Sequence, residues 1–474
     1  MNEMIAMQAE TAGPADGLRP VSIPLPDPGP GQVRIRVVAA SVNFSDVMRR
    51  RASPYPFPTT FPYIPGGEVA GIVDALGPDV EGPAVGTPVF AVVGTGGEGG
   101  YAQYAIAVAS RANPIPPQFD LNVAAGLIIT GVTAVSMLRN VARLEPGETV
   151  LVPAAAGGVG SLLVQVAKVL GAGKVIALAS TEAKRATARR LGADVALDPA
   201  ASDLDASIRE AAPNGVDVLF EMAGGTWLDR GMAWLAPFGR AIVYGSAGND
   251  VRAFKQDTLD QWLSTPALGQ TVTAFNLGLV FGLRPQWAQA AMQSLIGWIA
   301  EGKVEAPVGH VLPLTRAAEA HDLLEGRAST GKIVLNPWPE PEAKVVAEAR
   351  GYRFELSHGG KVLAFRWTSD TEDLTTQGFC EALTHYAAVT ERYRPQGLLV
   401  DVQALRFPGP PPEEGWRDRV ILPRYLAAGS RRMAYIGFGE PGDMPAVHDH
   451  FAERRFADEA SAMAWLQSSP SETK

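Results

Sequence analysis

Three small residues that follow an apolar run are the strongest candidates for chemistry in this chain. The run Val150 to Val152 ends at Pro153, and Ala155, Gly157 and Gly160 then occupy the small-residue positions of a Gly-x-Gly-x-x-Gly turn, with Ala in place of the first glycine. Small side chains let the backbone turn tightly and approach a pyrophosphate, while the N-terminal amides of the next helix face the phosphates. We therefore predict that a dinucleotide binds here.

The surrounding pattern supplies the elements that such a site needs. Apolar residues recur at helical spacing after the turn, at Val159, Leu162, Leu163, Val166 and Leu170. A second apolar run extends from Lys174 to Ala179. Strand, turn, helix and strand therefore follow in order from Thr149 to Ser180. An ordinary tight turn in a doubly wound sheet is the alternative interpretation.

Length and composition limit the classes of protein. At 474 residues and about 150 residues per domain, the chain has room for around three domains. Hydrophobic residues make up 46%, charged residues make up 19%, and the net charge is -9. This balance indicates a globular protein and argues against a general binder of nucleic acid or of anionic membranes.

Cysteine content and the N-terminal residues bear on the compartment. Cys380 is the single cysteine, which excludes an internal disulfide and a zinc site built on several thiolates. Its helical surroundings favour a buried small side chain over a reactive thiol. The start, MNEMIAMQAE, lacks the features of a secretory signal, so we expect a cytoplasmic protein. Leu121 to Leu138 is uncharged, but polar residues dilute it, and we predict a buried helix and no membrane span.

The order of predicted elements divides the chain into parts. Short strands with turns between them fill residues 4 to 120, and helices then alternate with strands as far as Tyr244, which predicts a parallel sheet with crossover helices. Residues 337 to 341 contain three prolines and form a stiff connector. Beyond it we predict a small α/β unit, with a hairpin at 352–357 and 361–367, helices at 378–393, 418–428 and 458–467, and strands at 397–402 and 432–438.

Six stretches of sequence carry a resemblance to a known family. They are PDPGPGQVRIRVVAASVNFSD (26–46), YPFPTTFPYIPGGEVAGIV (55–73), GGYAQY (99–104), AAAGGVG (154–160), ARRLGAD (188–194) and TGKIVL (330–335). Their order and spacing resemble the medium-chain dehydrogenase/reductase superfamily, in its zinc-free quinone oxidoreductase branch, which also contains enoyl-thioester reductases. The resemblance implies an α/β fold in which a GroES-like catalytic domain, residues 1–125 and 275–340, surrounds an inserted Rossmann domain, residues 126–274.

The metal-binding positions of the zinc-dependent branch are replaced in this chain. Asn43 stands where that branch has a metal-binding cysteine, and Gly67 stands where it has the histidine before Glu68. Without those ligands we expect no catalytic zinc. Reduction of an isolated carbonyl concentrates charge on one oxygen and usually needs a Lewis acid, whereas hydride addition to a quinone or an α,β-unsaturated carbonyl delocalises that charge. The sequence therefore favours conjugated acceptors.

Three polar residues are candidates for the catalytic site. Tyr55 matches the position of the family's active-site tyrosine, and a phenol with an ordinary pKa of about 10 remains protonated at neutral pH and can donate a hydrogen bond. The resemblance implies that Asn43 orients substrate or nicotinamide and that Asp46 supports its loop. For all three residues, a purely structural role is the alternative.

The second nucleotide strand ends without the acid that would bind the ribose hydroxyls of NADH. Ser180 is followed by Lys184 and Arg185, so a 2'-phosphate would meet hydroxyls and cations, and we predict NADPH as the cofactor. A solvated helix face is the alternative for these cations. The other predicted cofactor-binding positions, several implied only by the resemblance, are Thr130, Thr133, Ala155, Gly157, Gly158, Val159, Gly160, Gly245, Ser246, Phe275, Leu277 and Lys332.

Residues 341–474 have no place in that family pattern. LLVDVQAL (398–405), RRMAYIGFG (431–439) and RFADEASAMAWL (455–466) resemble the STAS-like domains related to anti-sigma-factor antagonists. The resemblance implies a regulatory or interaction role with a protein or ligand partner. His448 and His450 lie close together without further obvious ligands, and we interpret them as surface residues rather than a metal site.

Together these features predict an NADPH-dependent, metal-free reductase that transfers hydride to quinones or other α,β-unsaturated carbonyl compounds. An enoyl-thioester reductase is the alternative within enzymes. An NADPH-binding sensor that signals through the C-terminal domain is the alternative outside them. We expect the protein to be a homodimer.

Overall fold

The chain divides into two units, residues 1–338 and 339–474. The computed structural model describes residues 3–53, 55, 58–116, 119–224, 226–245, 260, 268–338, 343–357, 360–444 and 451–467. Among these residues, no helix has the length and apolar character needed to reach across a bilayer. His448 and His450 lie outside the described residues.

The described strands of the first unit form three sheets. They are β1 (Glu3–Ala9), β2 (Leu18–Pro24), β3 (Gln32–Val42), β4 (Glu68–Leu76), β5 (Pro88–Val92), β6 (Tyr104–Val108), β7 (Asn113–Pro114), β8 (Thr149–Val152), β9 (Lys174–Leu178), β10 (Val195–Leu197), β11 (Val216–Glu221), β12 (Leu235–Val243), β13 (Thr271–Ala274), β14 (Val308–Pro313) and β15 (Lys332–Asn336). The α-helices are Phe44–Arg50, Leu121–Ala125, Leu127–Ser136, Gly158–Val169, Glu182–Arg190, Leu204–Ala211, Thr226–Met232, Leu277–Leu283, Pro285–Ala300 and Ala317–Glu325.

The seven-stranded sheet of the first unit contains strands with an alternating apolar pattern. In β3, Val33, Ile35 and Val37 are buried at every second position, as in strands with one face on a core. The sheet has the order β14-β15-β3-β4-β5-β7, with β6 also paired to β3. Because β15 pairs with β3, at Ile333↔Val42, residues from the two ends of the unit meet beside the end of β3.

The predicted strand, turn, helix and strand from Thr149 to Ser180 is confirmed as β8, the helix Gly158–Val169 and β9. These strands belong to a six-stranded sheet of order β10-β9-β8-β11-β12-β13, in which neighbouring strands are parallel. Because parallel strands have their carboxyl ends at one edge, every segment that follows a strand here begins at the same edge of the sheet.

The single buried helix predicted before the nucleotide turn is wrong in its extent. Leu121–Ala125 and Leu127–Ser136 are separate helices, and a π-helical turn, Met137–Val141, follows. The first begins where the Asp120 side chain accepts a hydrogen bond from the N–H of Asn122 at 2.7 Å. It ends at Gly126, whose backbone (φ -94°, ψ 1°) departs from helical geometry. The sequence pattern did not reveal this break because both helices are apolar.

The second unit contains one seven-stranded sheet of order β16-β17-β18-β19-β20-β22-β21. Its strands are β16 (Lys344–Ala349), β17 (Tyr352–Ser357), β18 (Val362–Trp367), β19 (Gly397–Asp401), β20 (Arg432–Ile436), β21 (Gly442–Asp443) and β22 (Ala452–Phe456). Its helices are Thr376–Tyr393, Trp416–Val420, Leu422–Ala428 and Glu459–Gln467. The predicted hairpin is confirmed by the antiparallel pairing of β17 with β18.

One prediction for this unit is corrected, and strands that the sequence did not predict are present. The helix predicted at 418–428 is two helices, because Pro423 occupies the first turn of the second one, where a residue without an N–H group is tolerated. The strands β16 and β22 were not predicted, because KVVAEA and AERRF carry charged residues and lack a continuous apolar run. Apolar residues cover both faces of the sheet, with Phe365 and Tyr386 in one core and Leu399 and Ala462 in the other.

Candidate active site

Asn43 lies between the end of β3 and the helix Phe44–Arg50, and it is buried. The ammonium of Lys332 donates to Asn43 Oδ1 at 2.8 Å and to the carbonyl oxygen of Val42 at 3.0 Å. Asn43 Nδ2 in turn donates to Glu68 Oε1 at 3.1 Å. An ammonium can only donate and a carboxylate can only accept, so the two charged groups hold opposite ends of the amide.

Glu68 and Lys332 form a buried pair of opposite charges. Glu68 begins β4 and is fully buried, and its Oε2 accepts from the N–H of Ile129 at 2.8 Å. Its Oε1 lies 3.6 Å from Lys332 Nζ. Burial lowers the pKa of Lys332, while the carboxylates of Glu68 and Asp46 act in the opposite direction. The pair therefore offsets part of the cost of placing each charge away from water.

The stem of Lys332 fills space that two glycines leave open. A Cβ at Gly126 would lie 2.9 Å from Lys332 Cγ, and a Cβ at Gly158 would lie 2.8 Å from its Cδ. Gly158 is the first residue of the helix that follows the nucleotide turn. Lys332, Gly126, Gly158 and Thr130 all line one small cavity. The apolar stem of Lys332 is thus packed directly against the predicted dinucleotide turn.

Asp46 holds the backbone around Asn43. Its carboxylate accepts from the N–H of Asn43 at 2.8 Å and from the N–H of Gly66 at 3.1 Å. Burial raises the pKa of Asp46 to about 6, although these two hydrogen bonds act to lower it. Such contacts are those expected of a residue that supports the loop.

A second polar chain leads from Asp46 into the interior. The hydroxyl of Tyr101 lies 3.4 Å from Asp46 Oδ2 and 3.0 Å from His321 Nε2. His321 belongs to the helix Ala317–Glu325 and is fully buried. Burial, reinforced by Arg50 and Arg51, lowers the pKa of His321 to about 3. The imidazole is therefore neutral in the folded protein at neutral pH.

The opposite pKa shifts of His321 and Asp46 predict an unusual acid response. Unfolded His321 takes up a proton below its ordinary value of 6.5 and the folded protein only below about 3, so this group removes stability as pH falls from 6.5, at up to about 1.4 kcal/mol per unit. Asp46 is protonated below about 6 when folded and below 3.8 when unfolded, so it adds stability as pH falls between those values. The two effects oppose each other there.

Replacing His321 with Gln should remove the loss of stability that His321 causes at low pH, so that the gain of stability from Asp46 is no longer opposed by it. Relative to the wild type, the variant should gain about 2–3 kcal/mol of unfolding free energy between pH 6 and pH 4, since each unit of unmatched proton uptake contributes about 1.4 kcal/mol. Urea unfolding at pH 7, 6, 5 and 4 measures the difference, and Gln can still bond the Tyr101 hydroxyl. If the unfolding free energies of the two proteins change with pH in the same way, the pKa of His321 is not lowered by folding.

Tyr55 is half-buried, and the Cζ atom of Arg49 lies 5.8 Å from the centre of its ring. Burial raises the pKa of Tyr55, and a hydrogen bond with Ser45 opposes that shift. The phenol is therefore protonated at neutral pH. The structure brings Asn43, Asp46 and Lys332 into one cluster, and Tyr55, which contacts Arg49 and Ser45, lies close enough for the Asp46 carboxylate also to raise the Tyr55 pKa.

The nucleotide turn has the backbone geometry that the sequence pattern requires. Ala154 has φ +46°, a left-handed conformation, and Gly157 precedes the helix with an extended backbone. A Cβ at Gly160 would lie 2.3 Å from the carbonyl oxygen of Ala154, so no larger residue fits without moving the backbone. Ala155 is fully buried after β8, and Val159 is half-buried in the first helical turn. The amides at this helix start are available to an anion.

Four further predicted cofactor residues lie in segments that follow strands of the six-stranded sheet, at its carboxyl edge. Ser180 follows β9 and is exposed, Gly245 follows β12 and is exposed, and Phe275 and Leu277 follow β13. Ser246 lies outside the described residues. Thr130 and Thr133 are buried in the helix Leu127–Ser136, where the Thr130 hydroxyl donates to the carbonyl oxygen of Gly126 at 2.5 Å.

Lys184 reveals a neighbour that the sequence reasoning missed. It lies in the helix Glu182–Arg190, and its ammonium donates to the carbonyl oxygen of Arg327 at 2.5 Å. Arg327 is exposed and left-handed, with φ +54°. No local pattern could have identified it, because it is separated from Lys184 by 143 positions. Arg185 is used differently, in ion pairs with Glu182 and Asp198.

These features define a class of protein. A parallel sheet with a small-residue turn is inserted in a mostly antiparallel β domain, and the β domain packs a buried lysine, asparagine and glutamate beside that turn. This arrangement is that of a two-domain, dinucleotide-binding oxidoreductase.

Comparison with known proteins identifies the family within this class of oxidoreductases. Residues 158–291 match the family model described as zinc-binding dehydrogenase, and residues 29–117 match the alcohol dehydrogenase GroES-like domain. One of the proteins that make up the phenolphthiocerol/phthiocerol polyketide synthase of Mycobacterium tuberculosis is 34% identical over 335 residues, 70% of this chain and 15% of that protein. The 2-haloacrylate reductase of a Burkholderia species is 32% identical over 312 residues, 63% of this chain and 89% of that protein. Quinone oxidoreductase of Escherichia coli, solved in complex with NADPH, superposes with a TM-score of 0.64 and 27% identity over 70% of this chain and 100% of that one.

The chain belongs to the medium-chain dehydrogenase/reductase superfamily, and its first unit is of the quinone oxidoreductase type. The predicted α/β fold with GroES-like and Rossmann-like domains is confirmed. Two of the relatives named above, the 2-haloacrylate reductase and the quinone oxidoreductase, are oxidoreductases, and the quinone oxidoreductase structure is an NADPH complex. The chain spans only 15% of the polyketide synthase protein that it matches.

The zinc implied by one family description does not fit these residues. The cluster offers an amide at Asn43, a glycine at Gly67 and an ammonium at Lys332, whereas catalytic zinc needs thiolate, imidazole or carboxylate ligands. Two carboxylates lie here: Glu68 is already bonded to Asn43 and to the N–H of Ile129, and Asp46 is bonded to the N–H groups of Asn43 and Gly66. Within the described ranges, no group of three or more acidic, histidine or cysteine residues could hold a metal.

Proposed function

We propose that the chain is an NADPH-dependent, metal-free reductase of quinones or other α,β-unsaturated carbonyl compounds. The observation that carries this proposal is the packing of the Lys332 stem against Gly158, with its ammonium on Asn43. A site with hydrogen-bond donors and no Lewis acid suits acceptors whose negative charge delocalises after hydride addition.

Different residues would bind the cofactor, orient the substrate and supply the proton in such a reaction. Gly157 and Gly160 allow close approach of the backbone to a pyrophosphate, and the start of the helix Gly158–Val169 offers amide donors. NADPH, when bound, supplies the hydride. Asn43 has one N–H group beyond the one given to Glu68, which can orient a substrate carbonyl or the carboxamide of nicotinamide. Tyr55, protonated at neutral pH, or water supplies the proton.

The relation to a polyketide synthase protein supports a second candidate, an enoyl-thioester reductase. Both candidates are tested by NADPH oxidation with 1,4-benzoquinone, a simple enone, crotonyl-coenzyme A and an isolated aldehyde. We expect turnover with conjugated acceptors, none with the aldehyde, and no inhibition by a metal chelator. Binding of NADPH without oxidation by any acceptor would favour a sensor over an enzyme.

Replacing Lys184 with Ala should weaken NADPH about 10–100-fold and leave NADH unchanged, because a charge-assisted hydrogen bond contributes about 1.5–3 kcal/mol. The Lys184 contact brings Arg327 into the same region, so replacing Arg327 should act in the same direction. The control is Arg189→Ala, whose guanidinium is bonded to Glu182 at 2.7 Å. Cofactor fluorescence titration measures all three, and equal weakening of NADPH and NADH would remove the argument.

We also propose that residues 1–125 and 275–340 form the catalytic domain around the nucleotide domain 126–274, and that residues 341–474 are a STAS-like domain with a regulatory or interaction role. Trp338 supports a boundary there, because its Nε1 donates to the carbonyl oxygen of Val37 at 2.6 Å and its ring lies 4.5 Å from Arg36 Cζ. Residues 1–338 produced alone should therefore fold and reduce the same acceptors. An insoluble or inactive product would show that the second unit is needed for folding or activity.

A cytoplasmic homodimer is proposed as the working form. In the described sheet, β13 pairs with β12 alone, and the helix that follows leaves Leu279 and Leu283 exposed at 59% and 64%. A second copy of the chain could cover both features. Sedimentation of the wild type and of Leu283→Asp tests the dimer, with dissociation expected for the variant, and cell fractionation tests the location.

A further inference from the structure

We infer that Lys332 and Glu68 are positioning residues that fix the orientation of the Asn43 amide for the reaction. The inference rests on the proposed reductase function and adds to it a role for a buried charge pair. We do not assign Lys332 or Glu68 a direct contact with the reacting atoms. Their action passes through Asn43, which both of them bond.

Charge order selects one orientation of the amide. Asn43 Oδ1 lies 2.8 Å from the Lys332 ammonium, and Asn43 Nδ2 lies 3.1 Å from Glu68 Oε1. Rotation by half a turn would place the amide N–H groups against a cation that has no acceptor and the amide oxygen against a carboxylate that has no proton. An asparagine between neutral partners would reverse at little cost, whereas here reversal breaks two charge-assisted hydrogen bonds.

Both charged groups are themselves fixed by backbone contacts. The Lys332 ammonium is also bonded to the carbonyl oxygen of Val42 at 3.0 Å, and its strand pairs with β3. Glu68 is also bonded to the N–H of Ile129 at 2.8 Å. The amide of Asn43 is therefore held by groups that cannot easily follow it if it moves. One of its N–H groups remains for a ligand.

The energetic cost of burying the Lys332–Glu68 pair and its location beside the nucleotide turn support a functional role for the pair. A buried ion pair is generally no more stabilising than well-packed apolar residues of the same volume, so stability alone does not account for this one. The pair lies where the Lys332 stem contacts Gly158 and Gly126. Donation by an ammonium to the amide oxygen also polarises the amide and strengthens its remaining N–H as a donor. A neutral amide can then act where other members of the superfamily use a metal.

The test is a double-mutant cycle on hydride transfer. Lys332→Met should lower the single-turnover rate of 1,4-benzoquinone reduction at saturating NADPH about 100-fold, as expected when a group that orients the reactants is displaced. In an Asn43→Ala background, Lys332→Met should have no further effect, because residues that act as one unit are non-additive. The matched control is Lys168→Met, at a half-buried lysine bonded to Asp194 at 3.1 Å, which should keep the wild-type rate.

Additive losses in the cycle, or an unchanged rate in Lys332→Met, would overturn the inference. Because Lys332→Met leaves the Glu68 charge unpaired and can impair folding, the double variant Lys332→Met, Glu68→Gln is the second protein to measure. It removes both charges while Gln still accepts from Ile129. It should fold, bind NADPH and remain slow, and a wild-type rate in this variant would also overturn the inference.

Neutron crystal structures of the wild type and of this double variant, in which the amide hydrogens distinguish nitrogen from oxygen, give a readout independent of turnover. We expect one Asn43 orientation in the wild type and a rotated or divided amide in the variant. If the wild type binds NADPH but reduces no acceptor, the proposed function fails, while rotation of Asn43 in the variant still supports positioning by the charge pair. An unchanged Asn43 in the variant would overturn the inference whatever the turnover.

Discussion

Replacing Gly160 with Ala is expected to weaken NADPH binding about 10–100-fold and to destabilise the first unit by about 1–3 kcal/mol. The new methyl group would lie 2.3 Å from the carbonyl oxygen of Ala154 and 2.9 Å from the Cα atom of Ala155. Both contacts are with backbone, so the turn or the helix must move. A displaced turn loses hydrogen bonds to phosphate, each worth about 1.5–3 kcal/mol.

Titration with NADPH and thermal unfolding measure these two effects. The matched control is Gly297→Ala, in the helix Pro285–Ala300, where an added Cβ meets no atom within 4 Å. That variant should gain about 0.5–1 kcal/mol, because Ala is the better helix former, and should bind NADPH normally. If Gly160→Ala binds NADPH as the wild type does, this turn is not the pyrophosphate site.

Replacing Glu68 with Ala is expected to cost about 3–5 kcal/mol of unfolding free energy, the usual loss when one partner of a buried pair is removed. The Lys332 ammonium keeps its bonds to Val42 and Asn43 but loses the nearby negative charge. The N–H of Ile129 and one N–H of Asn43 lose their acceptor altogether. Denaturant unfolding at pH 7 measures the loss.

An exposed pair provides the comparison. Glu301 and Lys303 lie 2.7 Å apart with more than half of each side chain exposed, and Glu301→Ala should cost at most about 1 kcal/mol. Glu68→Gln should lie between the two, since the amide oxygen still accepts from Ile129 while the charge is lost. Equal costs for Glu68→Ala and Glu301→Ala would mean that solvent reaches the Glu68 site.

Much of the fold could be predicted from sequence because its signals are local. The helix Gly158–Val169 and its two strands are predicted by periodicity, and the hairpin of β17 and β18 by apolar runs around a glycine turn. The unpredicted strands β16 and β22 are held in their sheet by pairing with neighbours rather than by an apolar pattern. The break at Gly126 likewise depends on the capping of two helices that the sequence presents as one apolar stretch.

In the candidate site, too, some residues are indicated by local sequence and others only by long-range contacts. Ala155, Gly157 and Gly160 are identified by the sequence itself, because small residues at fixed spacing are a local requirement of a tight turn beside a phosphate. The sequence indicates Lys332 only as a cofactor-lining position and does not indicate Arg327. Each contacts a partner far along the chain: the Lys332 ammonium bonds Asn43 across 289 positions, and the Arg327 carbonyl accepts from Lys184 across 143 positions.

The sequence predicts the nucleotide turn, and its family resemblance reveals the replacement of metal-binding residues at Asn43 and Gly67, from which we predict conjugated acceptors. Only the tertiary structure shows that the Lys332 ammonium and the Glu68 carboxylate bond opposite ends of the Asn43 amide. The physical reason is that β3, β4 and β15 bring Asn43, Glu68 and Lys332 together by strand pairing, a long-range register that no local pattern of side chains encodes.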